Sequence, residues 1–171
     1  MPQGKIAAPM TITSEQYRAA LRQFPSGVTI VTLRSGDEIH GLTVSAFASV
    51  SPDPPLVAVV IDHRHKAMEL LERAGTAFAV NILAADQVEL SNRFAWVKDE
   101  DRFVEGDWRA AATGAPVLAD ALAWIDCRIH SSHRAGDHTI FVGEVQASEV
   151  PREAEPPLVY WNQGYRKLAV S

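Results

Sequence analysis

Apolar and polar positions alternate in short runs through the first half of the chain, and these runs predict strands. Val28–Leu33 and Ile39–Val44 are rich in β-branched residues and flank a polar, glycine-containing turn at 34–38, which predicts two consecutive strands. Leu56–Ile61 is apolar at every position, a pattern typical of a strand covered on both faces. The hydroxyl- and proline-rich stretch between them, Ser45–Pro55, is predicted to be a loop.

The second half of the chain continues this pattern. Thr76–Leu83 is predicted to be a strand, and Leu122–His130 with His138–Val150 predicts a hairpin across the turn at 134–137. Between these strands, residues 99–116 carry no clear period and are predicted to be irregular. A last short element is expected near the C-terminus, after a proline-rich, charged linker.

Three short helices are predicted around the strands. The first begins at Thr13, which with Gln16 forms a capping box, and it ends at Pro25 to Gly27. The others are expected at about 66–74 and 86–94. Because strands and helices do not alternate regularly, the pattern favours a mostly β fold, an antiparallel barrel with peripheral helices.

Length, charge and cysteine content limit the classes of function. The 171 residues fit a flexible N-terminal arm at 1–12 and one domain at 13–171. The net charge of -5 argues against a nucleic-acid partner. The single cysteine, Cys127, excludes an intramolecular disulfide and suits a reducing compartment. No apolar run reaches the ~18 residues of a membrane span, so we expect a cytoplasmic protein without a membrane partner.

A hydroxyl-rich segment at the end of the second strand is the first candidate site. Thr43, Ser45, Ser49 and Ser51 are separated by small residues, so the backbone can approach a flat ligand closely. Hydroxyls and free backbone N–H groups suit the carbonyls and ring nitrogens of a polar heterocycle. An ordinary loop after a strand would carry the same residue types.

Two further segments concentrate polar or aromatic groups. Arg64 and Lys66, flanked by His63 and His65, precede a predicted helix, and cations at a helix N-terminus suit a phosphate group. A solvated polar turn is the alternative, and two histidines without a third ligand do not indicate a metal. His138, at the start of a strand, is placed to donate to a ligand carbonyl or to be an ordinary turn residue.

The C-terminal segment 160–166 combines aromatic rings with an arginine. Tyr160, Trp161, Tyr165 and Arg166 are the types that stack on a ring and pair with a phosphate. Docking of this segment on the barrel is the alternative. No nucleophile elbow or carboxylate pair stands out, so an enzyme of this sequence would depend on binding geometry.

Taken together, the motifs resemble the short-chain flavin reductases, the reductase components of two-component flavin-dependent monooxygenases. The resemblance covers about residues 14 to 168. Its motifs are Phe24–Thr32, Gly41–Phe47, Ser51–Val57, Val80–Leu83, Asp101–Phe103, Gly136–Val145 and Gly164–Arg166.

The resemblance implies an FMN-binding split β-barrel with flavin at a homodimer interface. The flavin contacts that it implies fall into three groups. The isoalloxazine would meet Thr43, Val44, Ser45 and Ala46, and the ribityl chain and phosphate would meet Ser49, Val50 and Ser51. Asn81 and Leu83 would approach the flavin, and Phe94 would close its edge.

The remaining implied contacts concern phosphate and nicotinamide. The phosphate turn is His63, Arg64, His65 and Lys66, which lacks the hydroxyl usual in the family and leaves the choice between FMN and FAD open. His138 is the implied catalytic residue, orienting the nicotinamide of NADH or NADPH without acting as an acid. Tyr165 and Arg166 would bind the dinucleotide.

The implied activity is hydride transfer from a reduced nicotinamide to flavin, with reduced flavin passing to a partner monooxygenase. A barrel that retains its FMN and reduces another acceptor is one alternative. A non-enzymatic flavin- or haem-binding barrel is another.

Overall fold

A seven-stranded antiparallel sheet is the main element of the protein, in a computed structural model that describes residues 12–73 and 75–168. Its strands lie in the order β3-β2-β6-β9-β10-β5-β4. They are β2 (Thr29–Ser35), β3 (Glu38–Val44), β4 (Phe47–Pro52), β5 (Pro55–Asp62), β6 (Ala77–Ile82), β9 (Ala123–Ala135) and β10 (His138–Glu149). The sheet curls until β3 contacts β5, which confirms the mostly β, antiparallel barrel.

Smaller elements surround this sheet. Two small sheets combine β1 (Ser26–Gly27) with β11 (Val159–Trp161) and β12 (Gly164–Arg166), and β7 (Trp108–Ala110) with β8 (Pro116–Leu118). The helices are α1 (Ser14–Leu21), α2 (Ala67–Leu71), α3 (Val88–Trp96) and a 3-10 helix at Asp99–Val104. None of the helices in the described part of the chain has the length and apolarity needed to cross a membrane. Residues 1–11 of the predicted N-terminal arm lie outside the described residues.

The barrel interior is filled by alternate residues of the strands. Phe78 and Phe141 are buried in one cluster with Val59. Gly143 allows this packing, because a Cβ there would overlap the Phe78 ring and lie 2.8 Å from Cys127 Cβ. Cys127 is fully buried, and this burial raises the pKa of its thiol to about 12. The structure thus places the only cysteine inside the barrel.

The prediction of a loop at Ser45–Pro55 is wrong, because most of this segment forms strand β4. β4 pairs antiparallel with β5, with Phe47 opposite Val59 and a register shift between Ser49 and Ser51. It forms one edge of the sheet, where proline is tolerated because the outer N–H groups need no ladder partner. The residue types looked loop-like because the strand depends on its partner, not on its own propensity.

β5 is confirmed as a strand, but the prediction that it is covered on both faces is wrong for the single chain. Val57, Val59 and Ile61 are buried, whereas Leu56, Ala58 and Val60 alternate with them and are only partly covered. An apolar face therefore remains available on the outside of this part of the sheet.

Helix α1 is confirmed, with its capping box formed as predicted. The Thr13 side chain accepts from the Gln16 N–H at 3.1 Å, and the Gln16 side chain accepts from the Thr13 N–H at 2.9 Å. No residue of α1 is buried, and Leu21 and nearby Phe24 are 53% and 74% exposed. The apolar face of α1 thus points to the outside of this chain.

The segment predicted as irregular contains structure that the sequence did not indicate. It holds the 3-10 helix and the hairpin of β7 with β8. Phe103 and Trp108 from this segment pack edge to face at 5.1 Å between ring centroids, and both contact Phe94. The segment is therefore fixed by an aromatic cluster that joins it to α3, and the spacing of the three rings matches no helix or strand period.

Candidate functional site

Three neighbouring cavities lie where the sheet is open, between the end of β3 and the start of β4. The α3 cavity, of about 370 Å³, is lined by Thr43, Ser45, Asn92, Trp96, Gln163 and Tyr165 among others. The α1 cavity, of about 590 Å³, is lined by residues that include Arg18, Leu21, Arg22, Phe24, Phe47 and Val60. The His138 cavity, of about 270 Å³, is lined by His138, His65, Asp62 and the end of β3.

The predicted isoalloxazine-binding segment joins these cavities. Ser45 lines all three, Thr43 lines the α3 and His138 cavities, and Ala46 lines the α1 and His138 cavities. Val44 lines the His138 cavity but is 7% exposed. The structure therefore brings the four predicted residues to one place, where Ser45 is the common wall.

A hydrogen-bond network fixes the floor of the α3 cavity. Thr43 Oγ1 donates to the Ser91 carbonyl at 2.6 Å, and the Tyr165 hydroxyl donates to Asn92 Oδ1 at 3.0 Å. Tyr165 also lies 2.9 Å from Ser91 Oγ, and its ring contacts Tyr160 edge to face at 5.5 Å. Two partners on α3 thus hold the Tyr165 side chain in one position.

His138 lies at the mouth of its cavity beside an acidic neighbour. Its Nδ1 is 2.6 Å from Asp137 Oδ1, and the hydrogen bond to His138 lowers the pKa of Asp137. His138 is paired across the sheet with Asp62 of β5. Its other ring nitrogen makes no hydrogen bond to any residue in 12–73 or 75–168, and it lies at a cavity lined by the end of β3, where it could orient a ligand.

The predicted phosphate turn is tied to its own neighbours. Arg64 donates to both carboxylate oxygens of Asp62, at 2.5 to 3.0 Å, and these bonds lower the pKa of Asp62. Lys66 Nζ is 3.8 Å from a Glu38 carboxylate oxygen. His63 Nε2 lies 2.9 Å from Thr139 Oγ1. His63, Arg64 and Lys66 do not line the three cavities, whereas His65 of the same turn lines the His138 cavity.

The predicted ribityl and phosphate contacts lie on the edge strand β4. Val50 is 52% exposed, and Ser49 is also exposed. Ser51 Oγ accepts from the Asp53 N–H at 3.2 Å and donates to the Asp53 carbonyl at 3.1 Å. These residues are outside the walls of the three cavities, and only a ligand that extends along the edge of the sheet would reach them.

The other flavin contacts implied by the resemblance lie in the core. Asn81 and Leu83 are fully buried and Phe94 is 1% exposed. The Asn81 amide donates to the Ile30 carbonyl and to Thr32 Oγ1, and it accepts from the Leu118 N–H. The structure does not bring these three side chains to the cavities.

Several polar side chains at the cavities had no predicted role, and one of them, Gln163, lies within the candidate segment 160–166. Arg18 and Arg22 lie one helical turn apart beside the α1 cavity, and Asn92 and Gln163 line the α3 cavity. The signal for Asn92 was a polar pair, Ser91 and Asn92, within a helix that is otherwise apolar on that side. No comparable signal marks Gln163, because its position depends on the C-terminal hairpin.

Arg166 lies apart from the network that holds Tyr165. Its guanidinium is 5.8 Å from the centroid of the Trp161 ring and donates to the Tyr165 carbonyl at 2.9 Å. Across residues 12–73 and 75–168, no three histidine, cysteine or acidic side chains gather as metal ligands.

A family model and the curated relatives of this chain point to the same protein family. Residues 21–169 match the family model described as flavin reductase like domain. The chain is 39% identical over 169 residues to the flavin reductase of Pseudomonas putida, covering 96% of this chain and 98% of that protein. It is 42% identical over 154 residues to the reductase component of 4-hydroxyphenylacetate 3-monooxygenase from Thermus thermophilus, covering 90% and 96%.

A solved structure agrees with this result. The Streptomyces globisporus NADH:FAD oxidoreductase SgcE6, in complex with NAD and FAD fragments, superposes with a TM-score of 0.83 at 35% identity. The match covers 91% of this chain and 92% of that one.

Proposed function

The chain belongs to the flavin reductase like domain family, and we propose that it is an NAD(P)H-dependent flavin reductase that transfers hydride to FMN or FAD. The resemblance inferred from the motifs is confirmed. The observation that carries the proposal is the junction at Ser45, where a hydroxyl-lined backbone is exposed to all three cavities.

The residues present fit a flavin and a nicotinamide side by side. The two larger cavities, about 370 and 590 Å³, have the size of ordinary cofactor sites. The α1 cavity combines the apolar Leu21 and Phe24 with Arg18 and Arg22, so it offers both an apolar wall and cations for a phosphate. Together the cavities provide what a tricyclic ring with an anionic tail requires.

In the reaction, reduced nicotinamide supplies a hydride that flavin accepts. The protein accelerates this transfer by holding the nicotinamide and flavin rings in contact, because hydride transfer between them needs no activated nucleophile. In the Thr43–Ala46 segment, the Ser45 hydroxyl and neighbouring backbone N–H groups would stabilise the charge that grows on the flavin carbonyls, while the Thr43 hydroxyl donates to the Ser91 carbonyl. His138 would orient the nicotinamide with Nε2, the ring nitrogen that does not contact Asp137. Tyr165, whose hydroxyl is held by Ser91 and Asn92, would contact the dinucleotide.

The reduced flavin serves a separate monooxygenase. The Thermus thermophilus relative is named as the reductase component of such an enzyme, and the open cavities allow the flavin to leave. A cytoplasmic location suits an enzyme that consumes reduced nicotinamide, and it suits a chain without a disulfide.

A homodimer would complete the site. Leu56, Ala58 and Val60 of β5 lie beside Ile140 and Val142 of β10, and all five are only partly covered. This apolar face continues to the exposed Leu21 and Phe24 at the α1 cavity. A second copy seated here would bury both surfaces and close the flavin cavity.

The dimer is tested by measuring mass in solution. Light scattering should give twice the mass of the chain for the wild type and a single chain for Val142→Asp, because a buried charge at an apolar interface is costly. The exposed Ser148→Asp, on the same strand, is the control and should stay dimeric. A wild-type monomer would contradict the proposal.

The activity is tested by mixing protein, NADH or NADPH, and FMN or FAD, and following the nicotinamide absorbance. Flavin-dependent oxidation, with flavin lost on gel filtration, is expected. Flavin retained without turnover of free flavin would favour an oxidoreductase with another acceptor. Flavin or haem spectra without nicotinamide oxidation would favour a binding protein.

A further inference from the structure

A strained residue forms the tip of the C-terminal hairpin. Asn162 and Gln163 connect β11 to β12, with Trp161 opposite Gly164, and their φ angles are 46° and 63°. Two left-handed residues in succession make a turn that matches the twist of the strands, and the second position strongly prefers glycine. A glutamine there is unfavourable because its Cβ crowds the backbone.

The hairpin is anchored so that Gln163 keeps this conformation. The Asn162 N–H donates to the Arg22 carbonyl at 3.1 Å, and Trp161 Nε1 donates to the Gln23 carbonyl at 3.2 Å. A strained residue persists only where its surroundings determine its conformation, and such residues cluster at ligand clamps. The two anchors therefore hold Gln163 in a conformation in which its side chain can serve a ligand.

The Gln163 side chain lies on the wall between the α1 and α3 cavities and is exposed. Its carboxamide makes no hydrogen bond within residues 12–73 and 75–168. Across the α3 cavity, Asn92 uses Oδ1 to accept from Tyr165, whereas its Nδ2 group has no partner in that same part of the chain. Two carboxamides thus share one cavity with unused donors.

The α3 cavity differs from the α1 cavity in charge. In the described part of the chain, no acidic, basic or histidine side chain lines the α3 cavity, whereas Arg18 and Arg22 line the α1 cavity. An anionic phosphate is therefore favoured in the α1 cavity. An uncharged group with both a donor and an acceptor is the complement of a carboxamide.

We propose that Gln163 and Asn92 are specificity-determining residues that bind an amide group of a substrate in the α3 cavity. The group is the carboxamide of the nicotinamide or the imide edge of the flavin, which share this chemistry. The inference rests on the proposed function and names the side chains that would select the reacting ring.

The first test is Gln163→Gly. Because glycine relieves the left-handed strain, the melting temperature should rise, while the KM for one substrate should rise about three- to tenfold with the loss of one hydrogen bond. The kcat should stay unchanged, as expected for binding lost equally in ground and transition states. A raised KM for NADH identifies the carboxamide, and a raised KM for flavin identifies the imide.

A higher melting temperature with both KM values unchanged would overturn the inference while leaving the proposed function intact. If the wild type does not oxidise NADH with flavin, the proposed function fails instead. The inference is then decided by tryptophan fluorescence titrations with NADH and with FMN, in which Gln163→Gly must still raise one Kd.

Asn92→Asp is the second variant. It keeps an oxygen that accepts from the Tyr165 hydroxyl and replaces the amide donor by a negatively charged carboxylate oxygen that cannot donate, so the same KM should rise. Gln146→Ala removes an exposed carboxamide on β10, whose Nε2 donates to the Glu144 carbonyl at 3.2 Å, and should change neither KM. Equal effects of the control and Gln163→Gly, or effects of the two site variants on different substrates, would contradict the proposal.

Discussion

The barrel interior and the open edge of the sheet use the same kinds of polar side chain in opposite ways. In the interior, Asn81 is fully buried and both ends of its amide are bonded to β2 and β8. At the open edge, Gln163 presents the same amide to a cavity. A saturated amide holds strands in place, whereas an unsaturated one at a cavity is available to a ligand.

Glycine residues also differ between the barrel interior and the open edge of the sheet. Gly143 in the interior leaves no room for a Cβ, whereas a Cβ on Gly27, in β1 near the open edge, would have no atom within 4 Å. Interior positions are thus fixed by packing, and edge positions keep the space that ligand or partner surfaces need. The comparison predicts that interior substitutions change stability and that edge substitutions change binding or rate.

The largest expected effect is that of Asn81→Leu. It removes two donated hydrogen bonds and leaves the buried Leu118 N–H without an acceptor, which should lower the free energy of unfolding by about 3 kcal/mol. Urea denaturation measures this loss, with Ser45→Ala as the edge control that should leave stability unchanged. Full stability of Asn81→Leu with weakened flavin binding would instead support the flavin contact implied by the resemblance.

Gly143→Ala should have the next largest effect. The added methyl would overlap the Phe78 ring and crowd Cys127 Cβ, and overpacking of this kind costs about 2 kcal/mol. Gly27→Ala is the matched control and should melt at the wild-type temperature. Equal melting temperatures for the two variants would remove the distinction between interior and edge.

His138→Ala tests whether a substitution at the open edge of the sheet changes the rate of hydride transfer. It should slow hydride transfer about tenfold, equivalent to about 1.4 kcal/mol in the barrier, while flavin binding stays largely intact. Stopped-flow reduction measures the rate, and flavin fluorescence measures the binding. An unchanged rate would exclude the orienting role of His138.

The smallest effect is expected at the exposed pair of Asp62 and Arg64. Because Arg64 lowers the pKa of Asp62 in the folded chain, the pair stabilises the fold above the ordinary carboxyl pKa of 3.8 and this contribution is lost as the pH falls below it. Arg64→Gln should therefore melt slightly below the wild type at pH 7, with the difference shrinking in acid. A difference that grows in acid would contradict the assigned pairing.

The sequence predicted those elements whose pattern is local. β2, β3 and the hairpin of β9 with β10 have regular apolar patterns and clear turns, and the Thr13 cap formed as expected. β4 was missed because its residues are small, hydroxylated or proline, and its extended form depends on pairing with β5. The aromatic cluster of Phe94 depends on contacts between α3 and the segment that follows it, at spacings that match no regular period.

For the candidate site, the sequence predicted the segment shared by the three cavities but not all of the side chains that line them. The resemblance placed Thr43 to Ala46 at the ligand, and the structure brings them to the three cavities. It could not reveal that Asn81 faces inward, because the central position of β6 between β2 and β9 follows from the sheet order. Gln163 lies in the predicted segment 160–166, but it received no role because its position at the cavities depends on the left-handed turn of the C-terminal hairpin.

The buried thiol of Cys127 has a consequence for the lifetime of the enzyme. Reduced flavin released into air forms hydrogen peroxide, which attacks thiolates far faster than protonated thiols. Because burial raises the pKa of the Cys127 thiol to about 12, the thiol stays protonated at neutral pH. The sheet therefore protects the sole sulfhydryl against the by-product of the chemistry at its edge, so repeated turnover should not inactivate the protein by oxidation at this residue.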